Sequence, residues 1–274
     1  MTTAWVFRGG ASFAAAQVGM AQALLEAGCL PDMLVGSSAG ALNAAWLAAD
    51  PTLPGLGHLT ELWANVRRRD VFPLNPWLLL AGLAGLRDHT VSSAHLAKWL
   101  RANSMLRRLE EGAVPLTVVA TDIETGEEVR LEKGPAVPAL MASAAIPGLF
   151  PPVRIEGRWL MDGSIVSDTP LAPAIEAGAT RIYVLSSGPG GIEPRPASAL
   201  GTLLRSTSIV LSRAHTSALG RWSGRAEIFV LPVPRVPGTS AFSFNKSREL
   251  IASARLLASD WLRAPAAAPP GATA

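Results

Sequence analysis

The sequence predicts an α/β fold built on a mostly parallel central sheet. Two strand-turn-helix units stand within the first fifty residues, and such units are typically joined by right-handed crossovers in a parallel sheet. Apolar runs of strand length alternate with helical patterns again from about residue 115 onward. The turns of the first two units are therefore expected to lie together at the carboxyl edge of the sheet.

The first unit begins with the strand TAWVF and continues through the glycine turn RGGAS (residues 8–12). A helix follows over residues 13–28, with apolar side chains on one face and Gly28 as its stop. The second unit repeats this order over residues 32–49. Residues 52–112 have mostly helical patterns, and we interpret them as a helical insertion between elements of the sheet.

The later elements return to the sheet. Two strands are joined by a turn at Thr125-Gly126, and a further extended stretch turns at Gly157. The other predicted elements alternate between helices and strands. They are helices at 137–147 and 171–179, a strand at 181–188, a helix at 200–214, a strand at 226–233 and a helix near 250–261.

Two of these helices carry a clear apolar stripe. Val210 lies on the stripe of the helix at 200–214, and Leu250, Leu257 and Trp261 lie on that of the helix near 250–261. No linker is long enough to divide the chain, so we expect one domain over residues 1–263. The remaining residues, 264–274, are of low complexity and are expected to be disordered.

Composition limits the classes to which the protein can belong. The 274 residues are 49% hydrophobic, which is ample for a sizeable core, and the single cysteine, Cys29, excludes an intramolecular disulfide and a cysteine-based metal site. No secretory signal pattern is present, and no stretch reaches the ~18 uninterrupted apolar residues of a membrane span. We therefore expect a cytoplasmic protein. The formal charge of +3 is small for this length, so nucleic acid is not an expected partner.

The stretch VGSSAGALN (residues 35–43) predicts a nucleophile elbow, the sharp strand-to-helix turn that exposes a reactive side chain above a sheet. Ser38 fits this motif because Gly36 and Gly40 each stand two residues away from it. Ser37 lacks this spacing, and we interpret it as a helix-entry residue whose hydroxyl satisfies backbone groups. Taken alone, the motif also fits a tight turn with no catalytic role.

An activated serine needs a base, and the sequence offers two kinds. His58, His89 and His95 lie in polar parts of the helical insertion, whereas His215 follows the serine and an aspartate in the order of a serine hydrolase triad. The other candidate is Asp162, which ends an apolar strand and precedes Gly163. Each has an ordinary structural interpretation as well, as a packing or surface histidine or as a turn aspartate.

Four stretches occur in an order that resembles the patatin-like phospholipase family. They are RGGAS, GSSAG, ASAAIPGLFPPV and MDGSIVSDTPLAPAIEAGA, and the resemblance covers residues 5 to about 185. It implies a three-layer α/β/α fold and a catalytic pair of serine and aspartate without a histidine. The matching residues are Ser38 and Asp162, with Gly163 and Ser164 where the family usually has Gly followed by Gly or Ala.

The resemblance also implies an oxyanion hole in the first glycine turn. Gly9, Gly10 and Ala11 match the family's glycine loop, but Arg8, Ser12 and Phe13 depart from it. A glycine turn at a helix N-terminus presents unpaired amides that favour an anion, which supports the same interpretation on physical grounds. Neither a dinucleotide-binding nor a P-loop spacing is present, so no cofactor and no metal are expected.

These observations predict a serine acyl hydrolase that cleaves lipid carboxylic esters through an acyl-enzyme on Ser38, with Asp162 as base. Its expected partner is a lipid or ester substrate. A thioesterase or an acyltransferase with the same pair of residues is an alternative. A non-catalytic lipid-binding or regulatory protein is another, because the oxyanion loop is altered.

The uncharged stretch FPLNPWLLLAGLAGL (residues 72–86) has two interpretations. Apolar runs of this length are usually part of a core. Alternatively, Trp77 and the following leucines are exposed and contact a lipid surface, an idea that the arginines on both sides favour. The second interpretation predicts peripheral contact with a membrane.

Overall fold

The computed structural model describes residues 1–73, 75–188, 199–222 and 224–264. Its single sheet has eight strands. They are β1 (Thr3–Phe7), β2 (Met33–Ser37), β3 (Leu116–Asp122), β4 (Glu128–Leu131), β5 (Val153–Ile155), β6 (Arg158–Asp162), β7 (Arg181–Leu185) and β8 (Glu227–Val230). The predicted disordered tail lies outside the described residues, apart from Ala264.

Helices precede, follow and connect these strands. They are α1 (Ala15–Glu26), α2 (Ala39–Ala49), α3 (Leu53–Asn65), α4 (Arg68–Val71), α5 (Pro76–Leu83), α6 (Ala94–Asn103), α7 (Ala136–Ser143), α8 (Ser164–Ser167), α9 (Leu171–Glu176), α10 (Ala199–Trp222) and α11 (Ser247–Arg263). A 3-10 turn over Ala11–Ala14 leads into α1. In the described ranges, no helix has the length and apolar content needed to cross a membrane.

The sheet is parallel at its centre and antiparallel at one side. Its order is β5-β6-β3-β2-β1-β7-β8, and β4 pairs with β3 beside this path. The pairs from β3 through β2, β1 and β7 to β8 are parallel, whereas β4 and β6 run antiparallel to β3 and β5 runs antiparallel to β6. The predicted α/β fold with a mostly parallel sheet is thus confirmed, and an antiparallel side completes it.

Helices cover both faces of this sheet because side chains of a strand alternate between its faces. On one face, Trp5, Phe7 and Leu34 join the large core formed with α1, α2, α3, α7 and α11. On the other, Val6 and Val35 join a smaller core with residues of α9 and the end of α10. The three-layer arrangement implied by the resemblance is therefore confirmed.

The apolar stripes predicted for two helices are only partly buried, although Leu250 of α11 is buried as predicted. Val210 on α10 is 64% exposed, because this helix packs against the sheet core mainly through Ala218, Leu219 and Trp222 near its end. On α11, the most deeply buried side chains are small, and Leu257 lies at the edge of the packed face. Close packing of α11 against α1 explains this, since a Cβ on Gly19 would lie only 2.0 Å from a carbonyl oxygen of α11.

Candidate active site

Ser38 stands at the turn between β2 and α2, in a backbone conformation that side chains rarely adopt. Its φ and ψ are 54° and −131°, and a positive φ in a non-glycine residue signals local strain. The turn is fixed by neighbouring polar groups, because the Ser38 amide donates to the Ser143 hydroxyl (2.9 Å), which in turn donates to the Val119 carbonyl (2.6 Å). This geometry fits the predicted nucleophile elbow.

The structure brings Ser38 and Asp162 together although 124 residues separate them. The Ser38 hydroxyl donates to Oδ2 of Asp162 at 2.6 Å, and the amide of Ser164 donates to Oδ1 at 2.8 Å. Ala120 of β3 pairs with Asp162, and the neighbouring Val119 pairs with Ser37 of β2. Strand β3 therefore lies between the segments that carry Ser38 and Asp162 and fixes their separation.

The Asp162 carboxyl group is buried, and this burial dominates its titration. Removal from water raises its pKa from 3.8 to about 6, while the hydrogen bonds from Ser38 and Ser164 lower the pKa and oppose that shift. The carboxyl group is still mostly ionised at neutral pH. It is also a stronger base than an ordinary aspartate, which suits proton transfer from the serine hydroxyl.

The motif glycines allow the elements around Ser38 to approach each other closely. A Cβ on Gly36 would lie 2.6 Å from Cα of Ala41, and one on Gly40 would lie 2.5 Å from two carbonyl oxygens of residues 7 and 8. A Cβ on Gly163 would lie 2.1 Å from the Val119 carbonyl oxygen. These neighbours are backbone atoms, so a side chain at any of the three positions would displace the elements that hold the pair.

Ser37 is placed differently from its predicted role. It is the last residue of β2 rather than a helix-entry residue, and its buried hydroxyl lies 3.3 Å from the hydroxyl of Ser164. The prediction that its hydroxyl satisfies backbone groups is wrong. The elbow turns one residue later, at Ser38, so Ser37 still has strand conformation.

The first glycine turn lies directly against this pair, but its three predicted amide donors are not equivalent. The Gly9 amide donates to the Asp168 carbonyl at 3.3 Å, so it already has an acceptor in this structure. Among the described residues, the amides of Gly10 and Ala11 have no acceptor. The same holds for Ala39, the residue after the elbow serine, whose amide is the usual donor in this turn.

The residues that depart from the glycine-loop pattern hold the loop in place. The Arg8 guanidinium forms a salt bridge with Asp168, and the Ser187 hydroxyl donates to the Gly9 carbonyl. The Ser12 hydroxyl donates to the carbonyl of Ser240 at 2.6 Å. Burial raises the pKa of Asp168 to about 6, and the nearby Arg8 opposes this shift.

A buried network of polar side chains is hydrogen-bonded to the glycine turn at Arg8. Gln17 donates to the carbonyls of Arg8 (2.6 Å) and Leu185 (2.9 Å). Asn43 donates to Gln17 at 2.8 Å and accepts from the indole of Trp63 at 2.8 Å. Sequence reasoning missed Gln17 and Asn43, although both are polar residues inside otherwise apolar helical segments, which is the signal that marks a buried hydrogen-bond network.

None of the four histidines, all of which lie in the described ranges, forms a hydrogen bond with Ser38. His215 on α10 lies 2.6 Å from the Thr169 hydroxyl, and its burial, together with the charge on Arg8, lowers its pKa to about 4. His58 and His95 are exposed, and His89 pairs with Asp88. Within the described ranges, no three His, Cys, Asp or Glu side chains form a group that could hold a metal ion.

An apolar cavity of about 60 Å³ opens beside Ser38. Its wall starts at Ala11 and Ala39, next to the amides without acceptors, and continues along α2, α3, α4 and α6. Phe72, Phe150 and Phe244 close one side, with the Phe72 ring centroid 5.6 Å from that of Phe150 and 6.3 Å from that of Phe244. The helical stretch between β2 and β3 therefore supplies most of the wall.

Comparison with known proteins identifies the family. A model of the family described as "Patatin-like phospholipase" matches residues 5–175. An uncharacterized NTE family protein of Mycobacterium tuberculosis is 33% identical over 186 residues, which are 66% of this chain and 47% of that protein. A patatin-like phospholipase domain-containing protein of Aspergillus oryzae is 30% identical over 198 residues, which are 62% of this chain and 26% of that protein.

A solved structure gives a weaker likeness. VipD from Legionella pneumophila superposes with a TM-score of 0.49 and 16% sequence identity, covering 94% of this chain and 66% of that one. The chain spans about half the length of its mycobacterial relatives. Because the family model matches more than half of the sequence, the chain belongs to the patatin-like phospholipase family.

Proposed function

We propose that this protein is a lipid acyl hydrolase in which Ser38 and Asp162 form the catalytic dyad. The Ser38 oxygen attacks the carbonyl carbon of a carboxylic ester while Asp162 accepts the hydroxyl proton. The protonated Asp162 then donates this proton to the departing alcohol as the ester C–O bond breaks. Water attacks the resulting acyl-enzyme with Asp162 as base again, which releases the fatty acid and restores the serine.

The observation that carries this proposal is the hydrogen bond of 2.6 Å between the Ser38 hydroxyl and Asp162, formed at a strained turn. A nucleophile and its base within hydrogen-bond reach are the geometric requirement for this chemistry. The Asp162 pKa of about 6 adds a chemical reason, because a base is most effective when its pKa lies near the working pH. His215 bonds to Thr169 instead, which favours the dyad over a triad.

Developing charge on the substrate oxygen needs donors that are already in position. We assign this role to the amides of Ala39 and Ala11, with Gly10 as the third candidate, because both alanines line the cavity next to Ser38. Ala39 is also the first residue of α2, where the helix dipole favours negative charge. The retained donors argue against a non-catalytic role for the altered loop.

The cavity supports a substrate with an apolar acyl group. Apart from Ser38 and Asn43, its lining consists of apolar aliphatic and aromatic side chains. At about 60 Å³ it is much smaller than the roughly 300 Å³ at which pockets for drug-sized ligands begin. A short acyl group therefore fits the walls as they stand, whereas a long chain requires them to separate.

The test is hydrolysis of short p-nitrophenyl esters by two matched pairs of variants. Ser38→Ala and Asp162→Asn should each lower kcat by several orders of magnitude, as removal of a nucleophile or its base usually does. Ser37→Ala and His215→Ala should retain most of the activity, and a fluorophosphonate probe should label every variant that keeps Ser38 and its base. An inactive His215→Ala together with an active Asp162→Asn would overturn the dyad.

Product analysis separates hydrolysis from its alternatives. Incubation of the wild-type protein with an ester and an added alcohol should release free fatty acid rather than a new ester. A matched acyl thioester substrate compares the leaving groups directly. Preferential transfer to the alcohol, or a strong preference for the thioester, would assign the same dyad to an acyltransferase or a thioesterase.

A further inference from the structure

Helix α5 buries none of its side chains, and most of its apolar ones are exposed. Trp77 is 82% exposed, Leu80 58% and Leu83 74%, and Leu86 just beyond the helix is 77% exposed. The interpretation of this stretch as a core helix is therefore wrong. Exposed apolar groups that cluster on one short segment are typical of interaction sites, whereas scattered ones need no explanation.

Local interactions fold α5 without packing it against the core. The Asn75 side chain accepts from the amides of Trp77 (3.1 Å) and Leu78 (3.2 Å), which caps the first turn, and Pro76 occupies the first helical position. Near the other end, Gly82 packs against the backbone of His89, which a Cβ would approach to 2.6 Å. The helix is thus well formed, and its apolar surface still lacks a partner within the described residues.

Basic residues flank this apolar helix on both sides. Arg67, Arg68 and Arg69 precede it, and Arg87 follows it. Residues 67–88 therefore carry four guanidinium groups but only two carboxylates, those of Asp70 and Asp88. All four arginines are exposed, and none forms a salt bridge in the part of the chain that the structure describes. A short apolar helix bordered by cations complements an anionic lipid surface, into which the side chains insert while the arginines meet the head groups.

The ends of this segment are tied to the wall of the cavity. Phe72, four residues before α5, stacks on Phe150 in that wall. On the other side, the amides of Thr90 and Val91 donate to carbonyls of Gly148 and Leu149, directly before Phe150. Helix α5 is therefore tied on both sides to residues at the wall of the cavity beside Ser38.

We propose that α5 and its flanking arginines dock the protein on an anionic lipid surface, with Trp77 and Leu80 inserted among the lipids. The proposal rests on the proposed function in one respect, because docking beside the cavity would deliver a lipid ester from that surface to Ser38. Residues 77–86 are too few to span the hydrocarbon core, so the contact is interfacial. Tryptophan is favoured at that depth.

The test measures vesicle binding with the Ser38→Ala protein, so that no lipid is hydrolysed and binding is separated from catalysis. Flotation is compared for vesicles of phosphatidylcholine alone and of phosphatidylcholine with about one third phosphatidylglycerol. The Trp77→Gln/Leu80→Gln and Arg68→Gln/Arg69→Gln pairs are introduced separately. Leu256→Gln, at a leucine of α11 that is 68% exposed, is the matched control.

Binding to the anionic vesicles should be strong at low salt and should fall by about tenfold or more in each double variant, with melting temperatures unchanged. The Leu256→Gln control should bind normally. Equal binding to neutral vesicles, retained binding in the Trp77→Gln/Leu80→Gln protein, or a self-association that this variant abolishes would overturn the proposal. Hydrolysis of a short ester by the wild-type protein is measured in parallel. If the wild-type protein hydrolyses this ester but the Ser38→Ala protein does not bind the anionic vesicles, docking is refuted and the proposed function stands.

Discussion

At the scale of single residues, the titration of Asp162 controls when the proposed dyad can work. The group has to be ionised to accept the Ser38 proton, and its burial raises its pKa to about 6. On a short ester, kcat/KM should therefore fall about tenfold per pH unit below pH 6. A pH profile between 4.5 and 8 measures this acid limb.

His215→Ala is the control for that profile. The pKa of His215 is lowered to about 4, so the imidazole is mostly neutral over this range and its removal should leave the acid limb in place. A limb that disappears in His215→Ala would assign it to the histidine. A limb centred near pH 4 in the wild-type protein would mean that Asp162 is not desolvated as the geometry indicates.

Gln17 is hydrogen-bonded to neither Ser38 nor Asp162, but we expect its hydrogen bonds to affect both stability and kcat. It donates to the Arg8 and Leu185 carbonyls and accepts from Asn43, so Gln17→Leu leaves buried polar groups without partners. Each such group costs roughly 1–3 kcal/mol of unfolding free energy. Because the Arg8 carbonyl belongs to the glycine turn, we expect kcat to fall more than KM rises.

Denaturant unfolding and steady-state kinetics of Gln17→Leu measure both effects. Gln22→Leu is the matched control, since Gln22 lies on the same helix but donates only to the Thr60 hydroxyl at its partly buried edge. It should leave kcat nearly unchanged. If Gln17→Leu lowers stability while the folded protein keeps its full kcat, Gln17 has only a structural role.

At the scale of elements, the segments with strong local patterns were predictable from the sequence. The units β1 to α1 and β2 to α2 combine apolar runs with glycine turns, and these features alone determine strand, turn and helix. The hairpin of β3 and β4 follows in the same way from the Thr125-Gly126 turn, where Gly126 has a φ of 73°.

Features that depend on distant contacts could not be predicted. Asp168 contacts Arg8 and Gly9 across 160 residues of sequence, so no local pattern reveals that the Gly9 amide already has an acceptor. Likewise, an apolar helix that is exposed has the same composition as one that is buried, and α5 shows that tertiary packing decides between them. The proposed catalytic pair was predicted from the order and spacing of motifs rather than from any contact.

Phe72 links the end of α4 to the cavity, and its removal should change substrate selection. Phe72→Ala deletes a ring packed on Phe150 and Phe244, which should lower the unfolding free energy by about 3–5 kcal/mol and lengthen the cavity. The ratio of kcat/KM for a decanoyl ester to that for a butyryl ester should therefore rise. Both esters are assayed below their aggregation limits, so that interfacial effects do not contribute.

Phe229→Ala controls for stability in that comparison. Phe229 lies on β8 at the edge of the sheet and stacks on Tyr183 of β7 with ring centroids 5.4 Å apart. It is not part of the cavity wall. Its removal should lower the melting temperature without changing the ratio. An unchanged ratio in a folded Phe72→Ala protein would show that the acyl group does not enter beside Phe72.

At the scale of the whole molecule, the proposed site joins the two parts of the sheet. The parallel part supplies the elbow at the end of β2, whereas the antiparallel side supplies Asp162 at the end of β6. Both strands pair with β3, so one strand aligns the two residues, and the glycine turn after β1 completes the arrangement. The Asp162 carboxyl group is buried because it lies at this junction. Its ionisation in the buried state lowers the free energy of unfolding.

That loss of stability has a definite dependence on pH. The pKa of Asp162 is about 6 in the folded protein and near 3.8 when it is exposed, so between these values the folded state binds more protons than the unfolded state. The free energy of unfolding therefore decreases as pH rises through this window. A shift of about two pKa units corresponds to about 3 kcal/mol, all of which is lost by pH 7.

Replacement of Asp162 by asparagine should remove this contribution. The difference in unfolding free energy between Asp162→Asn and the wild-type protein should increase in favour of the variant by about 2 kcal/mol between pH 4 and pH 7. Asp122→Asn should show the opposite trend, because Arg158 holds the pKa of Asp122 below its ordinary value and stabilises its charged form. Urea unfolding at a series of pH values measures both differences, and comparing slopes with pH removes any constant effect of either substitution. A flat difference for Asp162→Asn would mean that Asp162 titrates normally in the folded protein, and the raised basicity assigned to the dyad would then be wrong.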